Sequence, residues 1–136
     1  MTLEEPKNIE CPECGKKQIT TIWRSMNVST DPEIKSSLFE GKINIFECDA
    51  CGYSGFIPVP LLYHDMEKKF CVQYYPFELI DQEEFFIQFD MDGGLNRETF
   101  AQLELPEYMR RQHIVFDMDE MIRYIEFRER LVNSIP

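Results

Sequence analysis

Cys11-Pro12-Glu13-Cys14-Gly15 and Cys48-Asp49-Ala50-Cys51-Gly52 are two copies of one local pattern, C-x-x-C followed by glycine. A C-x-x-C turn aims two sulfurs at one point. Two such turns supply the four thiolates of a tetrahedral Zn²⁺ site. The glycine after each second cysteine permits the positive φ that curls the backbone beneath a metal. One turn alone would also suit a redox pair; two, each trailed by glycine, point to structural metal. Cys11, Cys14, Cys48 and Cys51 are therefore the expected ligands of one structural Zn²⁺. A rubredoxin-like iron site uses the same thiolates and remains an alternative, as does a disulfide. Catalytic zinc needs an open coordination position, which four thiolates close.

The 136 residues suit one domain by size. Eleven Phe, six Tyr and one Trp supply enough apolar surface for a core, so the chain does not read as disordered. The formal net charge is −11; four thiolates and one Zn²⁺ would bring it to about −13. A surface that tracks nucleic-acid phosphates needs the opposite sign. Nucleic-acid binding is thus a second reading, resting on a local patch such as Lys16, Lys17 and Arg24. The N-terminus lacks the basic-then-apolar layout of a signal peptide, and no apolar run approaches the ~20 residues that span a membrane. Five cysteines, four of them in C-x-x-C turns, fit a secreted disulfide framework poorly. The expected compartment is reducing, the cytoplasm.

Outward from the first knuckle, residues 1–8 read as a loose lead-in. Gln18–Val28 is rich in β-branched residues and predicts a strand. Asp31 and Pro32 mark a helix start, with Asp31 as cap, and Gly41 ends a short helix on which Ile34 and Leu38 share a face. Asn44–Glu47 runs into the second knuckle as a strand, and Tyr53–Pro60 leaves it as another. Two hairpins whose tips carry the ligands make a zinc ribbon. Leu61–Asp65 reads as a turn, and Lys69–Pro76 as a strand that contains the odd cysteine, Cys71.

Cys-Pro-Glu-Cys at 11–14, a long insert, a second C-x-x-C-Gly, Leu61-Leu62-Tyr63-His64-Asp65 and a strand ending in Pro76 together resemble the CpXC family. This bacterial and archaeal domain is named for its Cys-Pro-x-Cys motifs. The resemblance covers about residues 9–77 and departs from the family pattern at Asp49, where a proline would make a second Cys-Pro-x-Cys. It implies a metal-binding ribbon inside a larger β-rich domain, and no activity.

Beyond Pro76, Glu84–Phe89 predicts a strand, Asp92-Gly93-Gly94 a turn and His113–Phe116 a further strand. Phe89-Asp90-Met91-Asp92-Gly93 resembles the first motif of haloacid-dehalogenase-type phosphatases, in which two aspartates serve as nucleophile and acid/base. Too little chain follows for the remaining βα units of that fold, and no lysine occurs after Lys69. A small metal-dependent phosphotransfer enzyme using Asp90 and Asp92 is accordingly a third reading, and no catalytic residue is assigned. Cys71 fits a small buried hydrophobe better than a nucleophile, and His64 a turn residue better than a proton shuttle.

Asp117 and Glu120 form a capping box ahead of a final helix from about Met118 to Val132. Met118, Met121, Ile122, Ile125 and Val132 share one arc; Tyr124, Phe127, Leu131 and Ile135 fill the next; Asp119, Arg123, Glu126 and Arg130 are polar. This apolar surface is wider than docking on one sheet requires. The expected architecture is a single α+β domain over residues 1–136: a zinc ribbon, two cysteine knuckles on β-hairpins at about 9–60, elaborated by a β-rich body and C-terminal helix at about 61–136. The expected function is a non-catalytic protein-interaction or adaptor module that binds a protein partner or a second copy of itself, with no membrane attachment.

Overall fold

The computed structural model describes residues 2–134, with side chains as far as 131. Along these residues the chain forms β1 (Leu3–Glu10), β2 (Lys17–Asn27), α1 (Glu33–Phe39), β3 (Ile45–Glu47), β4 (Ser54–Phe56), β5 (Leu61–Asp65), β6 (Phe70–Tyr74), α2 (Glu83–Phe86), α3 (Arg97–Ala101), β7 (His113–Val115) and α4 (Met118–Ser134). Short 3-10 turns lie at Phe77–Asp81 and Glu107–Met109. The architecture is α+β. One five-stranded sheet has the order β1-β2-β5-β6-β7, and β3 and β4 form a separate pair. β1–β2 and β5–β6 are antiparallel, while β2–β5 and β6–β7 are parallel.

Strand β2 supplies the surface on which both halves of the chain assemble. Ile22 and Met26 lie four residues apart and are fully buried, as one face of a pleated strand demands. The main core lies on the sheet face that carries Leu61, Tyr63, Phe70, Val72 and Tyr74. Helices α1 and α4 cover that face with Ile34, Leu38, Met121 and Ile125. Lys35 of α1 pairs with Glu129 of α4 at the rim. Helix α4 therefore buries the stripe expected to dock it. Val132 belongs to that stripe, but its side chain lies outside the described residues, as does Ile135 of the second stripe. Of the second stripe, Tyr124 is half-buried and stacks on His113 with ring centroids 3.8 Å apart. Phe127 and Leu131 remain exposed.

Four local expectations are overturned. Of the expected lead-in at 1–8, Met1 lies outside the described residues and the stretch from Leu3 is no loose segment, because Leu3–Glu10 pairs with β2 along its whole length. Pro6 is tolerated there because β1 is the sheet edge. Leu61–Asp65 is no turn but the central strand β5, with Leu61 and Tyr63 fully buried at alternate positions. Glu84–Phe89 is no strand. Glu83–Phe86 is helical, which sets Phe85 and Phe89 at i,i+4 with ring centroids 5.3 Å apart, both edge-on to Tyr75. Asp31 does not cap α1, whose first turn follows Pro32 without a side-chain cap. Its carboxylate instead accepts from the Thr2 hydroxyl at 2.5 Å and the Thr30 hydroxyl at 3.2 Å, pinning the start of β1. At α4, Asp117 does cap, accepting from the Asp119 N–H at 2.7 Å, while Glu120 pairs with Arg123.

The Asp90-Met91-Asp92-Gly93-Gly94 segment is a loop folded around Arg110, whose side chain is almost wholly buried. The Arg110 guanidinium donates to both Asp92 carboxylate oxygens, at 2.6 and 3.3 Å, to the Leu95 carbonyl at 2.9 Å and to Glu107 at 3.1 Å. Gly94 packs so tightly on this guanidinium that a Cβ there would overlap it. Asp90 accepts from the Arg97 backbone N–H and the Asn96 amide at 3.0 and 3.3 Å. Both carboxylates are thus engaged by protein donors. The Arg110 hydrogen bonds, then the Gly94 N–H, hold the Asp92 carboxyl well below the usual range against the opposing effect of burial.

Candidate metal centre

Each cysteine pair sits at the tip of a hairpin, Cys11 and Cys14 between β1 and β2, Cys48 and Cys51 between β3 and β4. The two tips fold alike. The Cys11 N–H donates to the Lys16 carbonyl at 2.8 Å and the Gly15 N–H to the Cys11 carbonyl at 2.9 Å. In the second tip the Cys48 N–H reaches the Tyr53 carbonyl at 2.8 Å and the Gly52 N–H the Cys48 carbonyl at 3.0 Å. Gly15 and Gly52 have φ of 78° and 80°, the left-handed conformation expected after each second cysteine. The first cysteine of each pair is buried and the second exposed. Phe46 backs the cluster, with Ile9, Tyr53 and Ile57 around it.

The four sulfurs lie within 4.8 Å of one another. Cys11 Sγ is 3.6 Å from Cys51 Sγ, and Cys14 Sγ is 3.6 Å from Cys48 Sγ. A disulfide would bring sulfurs to about 2.05 Å, so these are free thiols. Four sulfurs placed about 2.3 Å from one ion at tetrahedral angles stand about 3.8 Å apart. The two separations of 3.6 Å are close to this value, and the cluster as a whole is compact enough to surround one ion. The electrostatics agree. Backbone N–H donation from Cys51 brings the Cys48 thiol down to about 6 against burial. Cys51 goes the other way, to about 12: the Tyr53 N–H lowers it, but burial and the three neighbouring sulfurs outweigh that. Thiols that share hydrogen bonds in one site titrate as a coupled group. A divalent cation among them removes the conflict. The cluster can hold a metal ion by its geometry and its donor chemistry.

Residues that periodicity does not mark hold the two hairpins together. The Gln18 side chain donates to the Glu47 carbonyl at 2.6 Å and accepts from the Asp49 N–H at 3.1 Å. Asp49, where the family pattern would have proline, also pairs with Lys16 at 2.7 Å. A proline would have no N–H for Gln18, so the departure at Asp49 is matched by its own cross-hairpin contacts. Fully buried Asn44 does the same work nearer the core. Its side-chain oxygen accepts from the Trp23 N–H at 2.7 Å and its amide donates to the Trp23 carbonyl at 2.9 Å, as a neighbouring strand would. Asn44 has φ of 54°, a conformation asparagine tolerates better than most residues.

The remaining sequence candidates lie elsewhere. Cys71 and His64 are paired across β6 and β5, on the sheet face away from α4, and both are buried. His64 is a strand residue, not a turn residue; one ring nitrogen lies 2.6 Å from the Tyr108 hydroxyl. Burial pushes the Cys71 thiol up to about 12 and the His64 imidazole below its ordinary value. Cys71 is thus held as a neutral thiol, the form that is neither nucleophile nor metal ligand. Of the candidate phosphate contacts, Lys16 is paired with Asp49 and Arg24 with Glu5 at 2.8 Å. Among the described residues, no helix is long and apolar enough to cross a membrane.

The model of the CpXC family, described as CpXC protein, matches residues 9–133. The match runs through α4, well past the 9–77 that carried the resemblance in sequence. No curated protein and no solved structure matches the chain.

Proposed function

The chain belongs to the CpXC family, and on that premise we propose that it is a non-catalytic domain whose Cys11, Cys14, Cys48 and Cys51 hold one structural Zn²⁺ as a zinc ribbon and which acts by binding a protein partner. The observation that carries the metal assignment is the sulfur cluster itself, four thiols on two like-folded hairpin tips within 4.8 Å of one another. A set of four thiolates leaves no position for substrate, which is the structural rather than the catalytic pattern. Thiolate ligands must stay reduced, so the reading includes a reducing compartment, the cytoplasm. The binding role draws on large apolar side chains left exposed on an acidic body, among them Phe77, Phe86 and Met91. Elemental analysis of the purified protein tests the metal: one zinc per chain, lost when Cys11 and Cys48 are both changed to Ser. Stoichiometric iron, or a folded protein free of metal, refutes it.

A further inference from the structure

Strand β7 ends the five-stranded sheet, so among the described residues its far edge pairs with no strand. Val115 turns its carbonyl toward β6, where it accepts from the Tyr75 N–H at 3.0 Å. By strand alternation the N–H and C=O of Ile114 point away from β6, to the open edge. Exposed strand edges are templates for pairing, and proteins protect them by keeping them very short or with charged side chains, proline, a bulge or a covering element; of these, β7 shows brevity, at three residues. His113–Val115 contains neither lysine nor proline.

Two depressions are lined by β7 residues, and a further cavity lies beside Phe116, just past the end of the strand. On the side away from α4 a cavity of about 630 Å³ is walled by Ile80, Phe85, Phe89 and Ile114. On the α4 side one of about 400 Å³ lies among Leu38, Ile43, Phe56, Tyr74 and Ile122. A third, of about 430 Å³, follows β7 itself beside Phe77. Phe116, itself exposed and edge-on to Phe77, lines all three. The carboxylates on their walls are Asp90, Asp117, Asp119 and Glu120, of which Glu120 pairs with Arg123 and Asp90 lies 3.7 Å from Arg110; among the described residues no Lys or Arg lines any of the three depressions.

We propose that the β7 edge takes an extended segment of a partner protein in which apolar residues alternate with Lys or Arg. The proposal rests on the interaction reading above and gives it a site and a partner chemistry. A strand added at Ile114 gains main-chain hydrogen bonds. Its apolar side chains, all on one face of the added strand, meet the aromatic cavity, and its Lys or Arg, on the other, meet Asp117 and Glu120 in the depression along β7. The ladder is short, so apolar anchoring and charge supply the selectivity. A second copy of the chain fits poorly. Each copy carries −11, so two copies repel through their net charge.

The test titrates the ¹⁵N-labelled full chain, its zinc content measured on the same sample, with a short synthetic peptide alternating Val or Phe with Lys. A second peptide replaces each Lys by Glu, and a third carries proline at its centre. Amide shifts centred on residues 112–116, at least about tenfold weaker binding of the Glu peptide and loss of binding with proline are expected. Asp117→Asn with Glu120→Gln should weaken the Lys peptide and flatten its salt dependence; asparagine keeps the α4 cap. Equal binding of the Lys and Glu peptides overturns the proposal. So do shifts centred on the cysteine hairpins, or a free protein that is already a dimer with protected β7 amides. One zinc per chain with no shift at 112–116 ends this inference and leaves the metal assignment standing; a folded, zinc-free sample ends the metal assignment whatever the peptides do.

Discussion

Replacing Asn44 tests how the second hairpin is held on the sheet. Its side chain occupies the place of a missing strand beside Trp23, with hydrogen bonds of 2.7 and 2.9 Å. Removing it deletes both bonds and leaves a backbone N–H and C=O without partners. Each lost bond costs about 0.5–1.5 kcal/mol net, and more where the orphaned group stays out of water. Trp23 is half-buried, so Asn44→Gly should cost about 2 kcal/mol. Alanine keeps the Cβ at φ of 54° but lacks the polar side chain that lets asparagine tolerate this conformation, worth about 1 kcal/mol more. Asn44→Ala should thus lose about 3 kcal/mol and lower Tm by about 10 °C. Trp23 is the sole tryptophan, so urea unfolding followed by its fluorescence reports on the contact directly. A loss below about 1 kcal/mol for alanine, or glycine costing more than alanine, would refute the strand-substitute account.

Three further outcomes follow from buried groups. In the native, metal-loaded protein Cys71 should resist thiol reagents at mildly alkaline pH, because burial pushes it up to about 12; Cys71→Ser should keep its full metal content, and metal loss in a folded variant would show the ligands misassigned. The Asp92 carboxyl is held below its ordinary range by Arg110, so its contribution is present at neutral pH and drains away as pH falls below about 5; Asp92→Asn should be less stable than the parent at pH 7 and lose less on acidification, and parallel pH profiles would contradict the ion pair. Among the described residues the buried Tyr63 hydroxyl has no hydrogen-bond partner, so Tyr63→Phe should match or exceed the parent in urea unfolding, and a loss above about 1 kcal/mol would reveal a partner for it.

The residues that were legible in sequence act through local rules. C-x-x-C-Gly specifies its own turn, and Gly15 and Gly52 take the positive φ the pattern requires. Gln18–Val28 and Lys69–Pro76 became β2 and β6 because β-branched and aromatic runs suit a pleated surface. The inner stripe of α4 is buried at Met121 and Ile125, as a helical period dictates. The errors fall where a distant partner overrides local preference. Leu3–Glu10, with its proline and charges, is a strand only because β2 lies beside it. The Phe85, Phe86 and Phe89 run looks strand-like by propensity, yet the i,i+4 spacing of Phe85 and Phe89 serves a helical turn against Tyr75.

The sequence by itself determined which four cysteines converge, because each C-x-x-C turn closes over bonds between neighbours and needs nothing else from the chain. It equally determined the family, through the same motifs. Only the tertiary structure decided that Leu61–Asp65 lies at the centre of the sheet, that Asn44 and Gln18 bind one hairpin to the other, and that Asp90 and Asp92 are engaged around buried Arg110. Each of these is a polar or apolar contact between residues far apart in sequence, and no periodicity along the chain encodes which distant group will be there to complete it. The same holds for the open edge of β7, since a strand's neighbours, and its lack of one, exist only once the sheet is assembled.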